Sequence, residues 1–208
     1  MIGKGHSGRI CAALGAAILV LSACGQAGPP PAIYVLGDPA SAGRDFSVPL
    51  TSSVIEVKPV RVPEYLDTTD IVIRHPGGLI APSQSARWGE RLSVGLTRVV
   101  AASLRSRLPG IPVTTSAPLD PPLWQVLIDV DTFEAQSAGE CVLIGRWSIR
   151  GGRGGERLKA EAFSLSEPVT GDSDAAVVAA MTHELARLAD TIAPELVAEA
   201  SRRGISTH

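Results

Sequence analysis

The sequence predicts an α+β fold, a mostly antiparallel mixed sheet of about five to seven strands with two long helices on one face, in the order strands, helix, strands, helix. Three patterns carry this expectation. Leu92, Leu96, Val99, Val100, Leu104 and Leu108 recur at three- and four-residue steps, as on one helix face. Trp124 to Phe133, Cys141 to Arg150 and Glu156 to Leu165 read as three strands of a meander joined by short polar or glycine-rich loops. Val178, Met181, Leu185, Leu188 and Ile192 then repeat the helical spacing.

At the N-terminus, Lys4 and Arg9 precede an uncharged run from Ile10 to Ala23, which ends in Leu21-Ser22-Ala23-Cys24. The run is shorter than the roughly 20 residues a membrane span needs but fits the apolar region of a secretory signal. Small residues directly before a cysteine form a lipobox, which makes Cys24 the acylation site. Cleavage there removes 23 of the 208 residues and leaves 185, with 17 basic against 21 acidic side chains. That balance points to no nucleic-acid partner and no polybasic membrane patch, so the anchor is the lipid itself. The layout expected is a signal peptide over 1–23, a lipidated tether over 24–32, one α+β domain over 33–203 and a frayed tail over 204–208. Cys141 is the one cysteine left after Cys11 departs and Cys24 is acylated, so no internal disulfide can form.

Gly25 to Pro31, with three consecutive prolines, reads as a solvated spacer. Ile33 to Leu36 is a short strand closed by Gly37-Asp38-Pro39, and Ala40 to Ser53 is a loop. Val54 to Lys58 alternates as a half-buried strand. Pro59 and Pro63 place Val60 to Val62 at a sheet edge or bulge, because proline donates nothing to a ladder. Tyr65 to Asp70 turns the chain into the strand Ile71 to Arg74; His75 to Gly78 turns it again, and Leu79 to Ala81 returns. The helical period is expected from Trp88, with Arg91, Arg98 and Arg105 on an outward face, and it stops at Leu108-Pro109-Gly110. Thr114 to Pro122 is a proline-rich linker. Asp172-Ser173-Asp174 caps the last helix, which Pro194 kinks or restarts.

PVRVPEYLD at Pro59 to Asp67, the strand DIVIR at Asp70 to Arg74, and ARWGERL at Ala86 to Leu92 resemble the PqiC-like family, auxiliary lipoproteins of ABC-type envelope transport systems. The strand soon after the lipobox and the apolar stripe of the last helix extend the likeness over nearly all of the mature chain. Pro63, Tyr65, Arg87, Trp88 and Trp147 are the motif residues expected to be structural. Trp88 in particular would wedge the first helix against the sheet. The resemblance implies three acyl chains on Cys24, a docking role toward an MCE-domain protein of a system moving lipid or another apolar solute, and no cofactor. Gly25 after the cysteine, instead of aspartate, resembles outer-membrane sorting with the domain facing the periplasm. Homo-oligomers are also compatible with it. Two other classes stay open, a lipid-binding chaperone lipoprotein and a structural scaffold of the envelope.

Motifs for chemistry are few. His183-Glu184 has the start of a zinc-protease helix, but Arg187 stands where the second histidine ligand belongs. Gly151 to Gly155 joins two strands instead of opening a helix and lacks the phosphate-loop spacing. No GxSxG elbow or CxxC pair occurs, so the chain is expected not to be an enzyme. For the meander, pairing Ile128 with Ile149 and Val130 with Trp147, then Ile149 with Leu158 and Trp147 with Ala160, makes one face a core. It leaves Asp131, Arg146 and Glu161 as a charged row on the other face, beside an apolar row of Phe133, Ile144 and Phe163. That apolar row is a candidate interface unless a helix or loop of the domain covers it.

The anchor is directly testable. Cys24→Ala is expected to abolish incorporation of labelled palmitate and to release the protein from the membrane fraction or leave it with its signal uncleaved; continued labelling would refute acylation at Cys24.

Overall fold

A computed structural model describes residues 29–37, 54–152 and 154–204. In chain order the elements are β1 (Ala32–Tyr34), β2 (Ile55–Val57), β3 (Asp70–Arg74), β4 (Ile80–Trp88), α1 (Leu92–Arg107), β5 (Val113–Thr114), β6 (Trp124–Gln136), β7 (Glu140–Gly151), β8 (Arg157–Pro168) and α2 (Asp174–Arg202). The α+β class, the two helices and the mixed sheet agree with the sequence; among the described residues the sheet has eight strands, more than the five to seven expected. The signal peptide, Cys24 and the loop expected at Ala40 to Ser53 lie outside the described residues.

β6, 13 residues long, organises the sheet. Antiparallel β7 runs along one edge of it, and β8 follows antiparallel on β7. The other edge is shared: β2 pairs in parallel with its first residues, Ile55 opposite Trp124, and β3 pairs in parallel with its last, Ile73 opposite Ala135. β5 extends the sheet beyond β2, and β4 then β1 extend it beyond β3. Because β2 lies between two neighbours, Glu56 is buried with its flanking apolar residues, and its carboxylate accepts from Lys58 Nζ at 2.9 Å and Gln125 Nε2 at 2.8 Å.

Both helices cover one face. The α1 stripe from Leu92 to Leu108 is buried, as are Met181, Leu185, Leu188, Ile192 and Leu196 of α2. The Ser173 side chain caps α2 by accepting from the Ala176 N–H at 3.2 Å, and the helix continues through Pro194. α1 stops where Gly110 adopts φ 85°, a conformation glycine reaches without a Cβ penalty.

Several expectations change. The return strand is far longer than Leu79 to Ala81, and Trp88 ends it instead of starting a helix, which begins at Leu92. The stretch pairs with β3 on one side and β1 on the other, a stabilisation no local periodicity reveals. The arginines of α1 do not simply face outward: Arg98 donates to Glu90 and to the Leu36 carbonyl at 3.0 Å, and Arg105 donates to the Val113 carbonyl at 2.9 Å.

The meander register also differs. Ile128 lies opposite Trp147 and Val126 opposite Ile149, a two-residue slide that preserves the faces. On the next hairpin Trp147 faces Glu161, one residue from the expected partner, and a one-residue slip turns every β8 side chain to the other face. A bulge between Val130 and Thr132 reverses the alternation of β6 as well. Phe133 and Phe163 are therefore buried under the helices, whereas Ile144 sits 37 % exposed on the opposite face, so the proposed apolar row of Phe133, Ile144 and Phe163 does not exist. The charged row is replaced by Asp129, Arg146 and Ala162. Gly145 makes room for this packing: a Cβ there would lie 2.2 Å from the Asp129 carbonyl oxygen and 2.8 Å from the Phe163 ring.

Phe133→Asp and Phe163→Asp are accordingly expected to unfold the domain, since removing a buried phenylalanine ring alone costs about 3–5 kcal/mol. Ile144→Asp should leave the thermal midpoint nearly unchanged; circular-dichroism melts of the three variants make the comparison.

Candidate functional site

The segment between β2 and β3 crosses the seam where β6 changes neighbours. Arg61 still pairs with β6, donating its N–H to the Ile128 carbonyl at 3.0 Å and accepting from the Val130 N–H at 2.8 Å. The Val60 N–H points away from β6 and donates to the Thr97 hydroxyl of α1 at 2.9 Å, which satisfies a buried backbone donor. Pro63 starts the turn, its carbonyl accepting from the Leu66 N–H at 3.0 Å, and Leu66 is fully buried.

The turn then caps α1 from outside the helix. The residue before α1, Arg91, offers no side-chain cap. Instead the Thr68 carbonyl accepts from the Leu92 N–H at 3.1 Å and Asp67 Oδ1 accepts from the Ser93 N–H at 3.1 Å, while Arg91 Nη2 donates to Asp67 Oδ2 at 2.5 Å. Burial pushes the Asp67 carboxyl up, but the Ser93 bonds and the Arg91 guanidinium outweigh it and hold it below its ordinary value. The Thr69 carbonyl accepts from the Trp88 N–H at 2.8 Å, and Arg87 pairs with Asp70 across β3 and β4. Pro63, Arg87 and Trp88 thus meet at one junction of turn, strand and helix, whereas Trp147 lies apart, buried under the helices.

Tyr65 leaves this junction for the sheet face opposite the helices. Its hydroxyl donates to Glu134 Oε1 at 2.5 Å, Arg74 Nη2 donates to the same oxygen at 2.7 Å, and Arg74 Nε donates to Oε2. Glu134 is fully buried by these partners. Burial raises its pKa, the bidentate guanidinium and the phenol lower it more, and the carboxylate stays below its ordinary range. The phenol is pushed up to about 12, first by burial and then by the carboxylate beside it.

Further along the same face lies a concavity of about 450 Å³. Leu127, Ser148, Ala160 and Ala162 contribute to its floor, and Arg61, Arg146, Arg150 and Arg157 line it. Arg61 pairs with Asp129, which also has Arg146 Nε at 3.7 Å, so one carboxylate serves two guanidinium groups and positive charge is left over. The side chains of Arg61 and Arg146 are 74 % and 68 % exposed, open to an incoming partner. Bare β-strand surface with excess arginine suits an anionic protein surface. Sequence reasoning picked out Arg146 but missed Arg61, Arg150 and Arg157; the i, i+2 spacing of Arg146, Ser148 and Arg150 on one strand was the available sign. Among the described residues no group of three or more His, Cys, Asp or Glu could hold a metal.

A family model described as "ABC-type transport auxiliary lipoprotein component" matches residues 34–193. The chain belongs to this family. Among solved structures, an uncharacterized protein superposes with a TM-score of 0.68 at 21 % identity, covering 81 % of this chain and 99 % of its own. A DUF330-family protein from Xanthomonas campestris gives 0.61 at 17 % identity, covering 84 % and 96 %. At those identities the likeness concerns the fold. No curated protein matches the chain. Among the described residues, no helix of this auxiliary component is long and apolar enough to cross a membrane.

The His183-Glu184 pair of this family member is divided by α2. His183 Nδ1 faces Glu167 at 2.7 Å on the surface, beside Arg187. Glu184 points inward, fully buried, with neither carboxyl oxygen hydrogen-bonded among the described residues. Burial, reinforced by the Glu167 charge, pushes its pKa up from 4.5 to about 8. Cys141, also buried, donates weakly to the Val177 carbonyl at 3.8 Å, and burial pushes its thiol up to about 12, which makes it a poor nucleophile.

Glu184 links stability to pH. Folding raises its pKa, so between pH 4.5 and about 8 the folded chain keeps a proton that the unfolded chain releases. Its stability is therefore full below the lower value and falls as pH rises, by at most about 1.4 kcal/mol per unit. Glu184→Leu is expected to raise the melting temperature, with a gain that grows from pH 5 to pH 8; a gain independent of pH in that window would show that Glu184 does not carry the linkage.

Proposed function

We propose that this chain is a non-enzymatic subunit of an envelope system that moves lipid or another apolar solute, acylated on Cys24 and held at the outer membrane facing the periplasm. In that role it docks an MCE-domain protein of the same system through the arginine-lined face of its sheet. The match over residues 34–193 to the transport auxiliary lipoproteins carries the proposal. The geometry supports a docking function because both helices pack on one side and, among the described residues, leave the β6–β7–β8 face without a covering helix, with the guanidinium groups of Arg61 and Arg146 projecting from it.

Charge reversal tests the docking face. Arg61→Glu combined with Arg146→Glu is expected to abolish co-purification of an MCE-domain protein from detergent-solubilised envelope. Charge reversal also sets two carboxylates beside Asp129, so Arg61→Gln with Arg146→Gln is the companion variant, expected to lose capture while keeping a melting temperature close to that of the wild type. Wild-type capture should also weaken as salt is raised, since exposed charge pairs are screened. Undiminished capture by the double variant would place the docking surface elsewhere.

A further inference from the structure

The β3–β4 hairpin ends in an exposed apolar tip. The His75 N–H donates to the Leu79 carbonyl at 2.8 Å to close it, and Gly77 and Gly78 turn the chain at φ 80° and 84°. Leu79 is 63 % exposed and Ile80 37 %. From Ile71 to Gly89 the sequence contains no acidic residue. Two adjacent aliphatic side chains thus stand in water at the tip of a short turn.

Strand direction and chain length say what that surface meets. β1 is parallel to β4, with Ala32 opposite Ala86 and Tyr34 opposite Trp88. The chain preceding Ala32 therefore enters from the side on which β4 begins, the side of the hairpin tip. Seven steps back along the hairpin from Ala86 to Leu79, at about 3.3 Å each, make about 23 Å. Eight steps from Ala32 to Cys24 reach at most about 29 Å, or about 25 Å in the polyproline geometry that Pro29, Pro30 and Pro31 favour. The tether is thus about as long as the hairpin's overhang. A bilayer that holds Cys24 by its acyl chains lies within reach of the tip.

We infer that the Leu79–Ile80 tip is a second membrane contact, which seats in the lipid interface and fixes the orientation of the domain that the acyl chains merely tether. It rests on the proposed acylation of Cys24. Small apolar tips enter the boundary between headgroups and acyl chains without spanning the bilayer. With the tip seated, β6 runs toward the lipid and its first residues stand farthest from it, because its last residues lie beside Arg74 at the tip end of the sheet.

The test uses the full acylated protein in vesicles of phosphatidylethanolamine and phosphatidylglycerol, with an environment-sensitive fluorophore on Leu79→Cys or, as a control, on Leu119→Cys. Leu119 is fully exposed and precedes β6, whose 13 residues put it about 40 Å from the tip end. The native Cys141 is buried and stays unlabelled. Protein that floats with the vesicles should show blue-shifted emission at position 79, lost when a nitroxide-bearing phospholipid is included, and neither effect at position 119. Floating protein whose position-79 probe stays water-exposed, or whose two probes are quenched alike, overturns the seated tip while leaving the anchor intact. A position-79 probe that becomes shielded only on adding the MCE-domain protein makes the tip a protein contact and equally overturns it. Protein that does not float refutes acyl anchoring, and the second contact falls with it.

Discussion

The edge of β6 that two parallel strands share is the constraint on which the rest of the structure depends. β2 occupies its beginning and β3 its end, so the chain between them must leave the ladder and rejoin it while still satisfying the backbone donors it carries. Arg61 bridges the gap by pairing once with Asp129, and the Thr97 hydroxyl takes the Val60 N–H that no strand can reach. The turn from Pro63 to Thr69 is therefore fitted to sheet and helix at once. That explains why a short run of residues acts as hinge, helix cap and cover for Glu134.

Polar groups are distributed unequally over the two faces. On the helix side, among the described residues, neither the Glu184 carboxylate nor the indole nitrogens of Trp124 and Trp147 are hydrogen-bonded, and burial raises the Glu184 pKa. On the open side, Glu134 keeps its charge because Arg74 grips it with two donors and Tyr65 adds a third. Removing one member of such a buried pair costs far more than the pair contributes, since the remaining charge is left without compensation. The Tyr65 cluster thus belongs to the scaffold that borders the groove, while Arg61 and Arg146, mostly exposed, remain available to a partner.

In a member of the transport auxiliary lipoprotein family, this arrangement separates tasks along the molecule. One end of the sheet carries the start of β1 and the hairpin tip; the open face presents Arg61 and Arg146 around Asp129 of β6. Both surfaces hang on the same strand framework, so their relative direction is fixed by hydrogen-bonded ladders. A rigid link of that kind would serve the proposed docking role, in which one end stands at a membrane and the open face meets another protein.

The sequence by itself determined the fold class, both helices, the three long strands, the Ser173 cap and the breaker at Gly110, because each depends on side-chain periodicity or on residue types within a few positions. It also supplied the family resemblance, through the stretches that hold Pro63, Tyr65, Arg87 and Trp88, though not how those residues are placed around one turn. Tertiary structure alone decided the length of β4, whose partners lie in β1 and β3, and the burial of Glu56 between β5 and β6. It likewise decided the one-residue register of β8 and the bulge after Val130. Those two choices sent Phe133 and Phe163 inward, left Ile144 outside, and brought Arg61 of the seam beside Arg146 of the meander. A strand's pattern repeats every two residues, so alternation identifies its two faces, whereas packing against the helices determines which face turns inward.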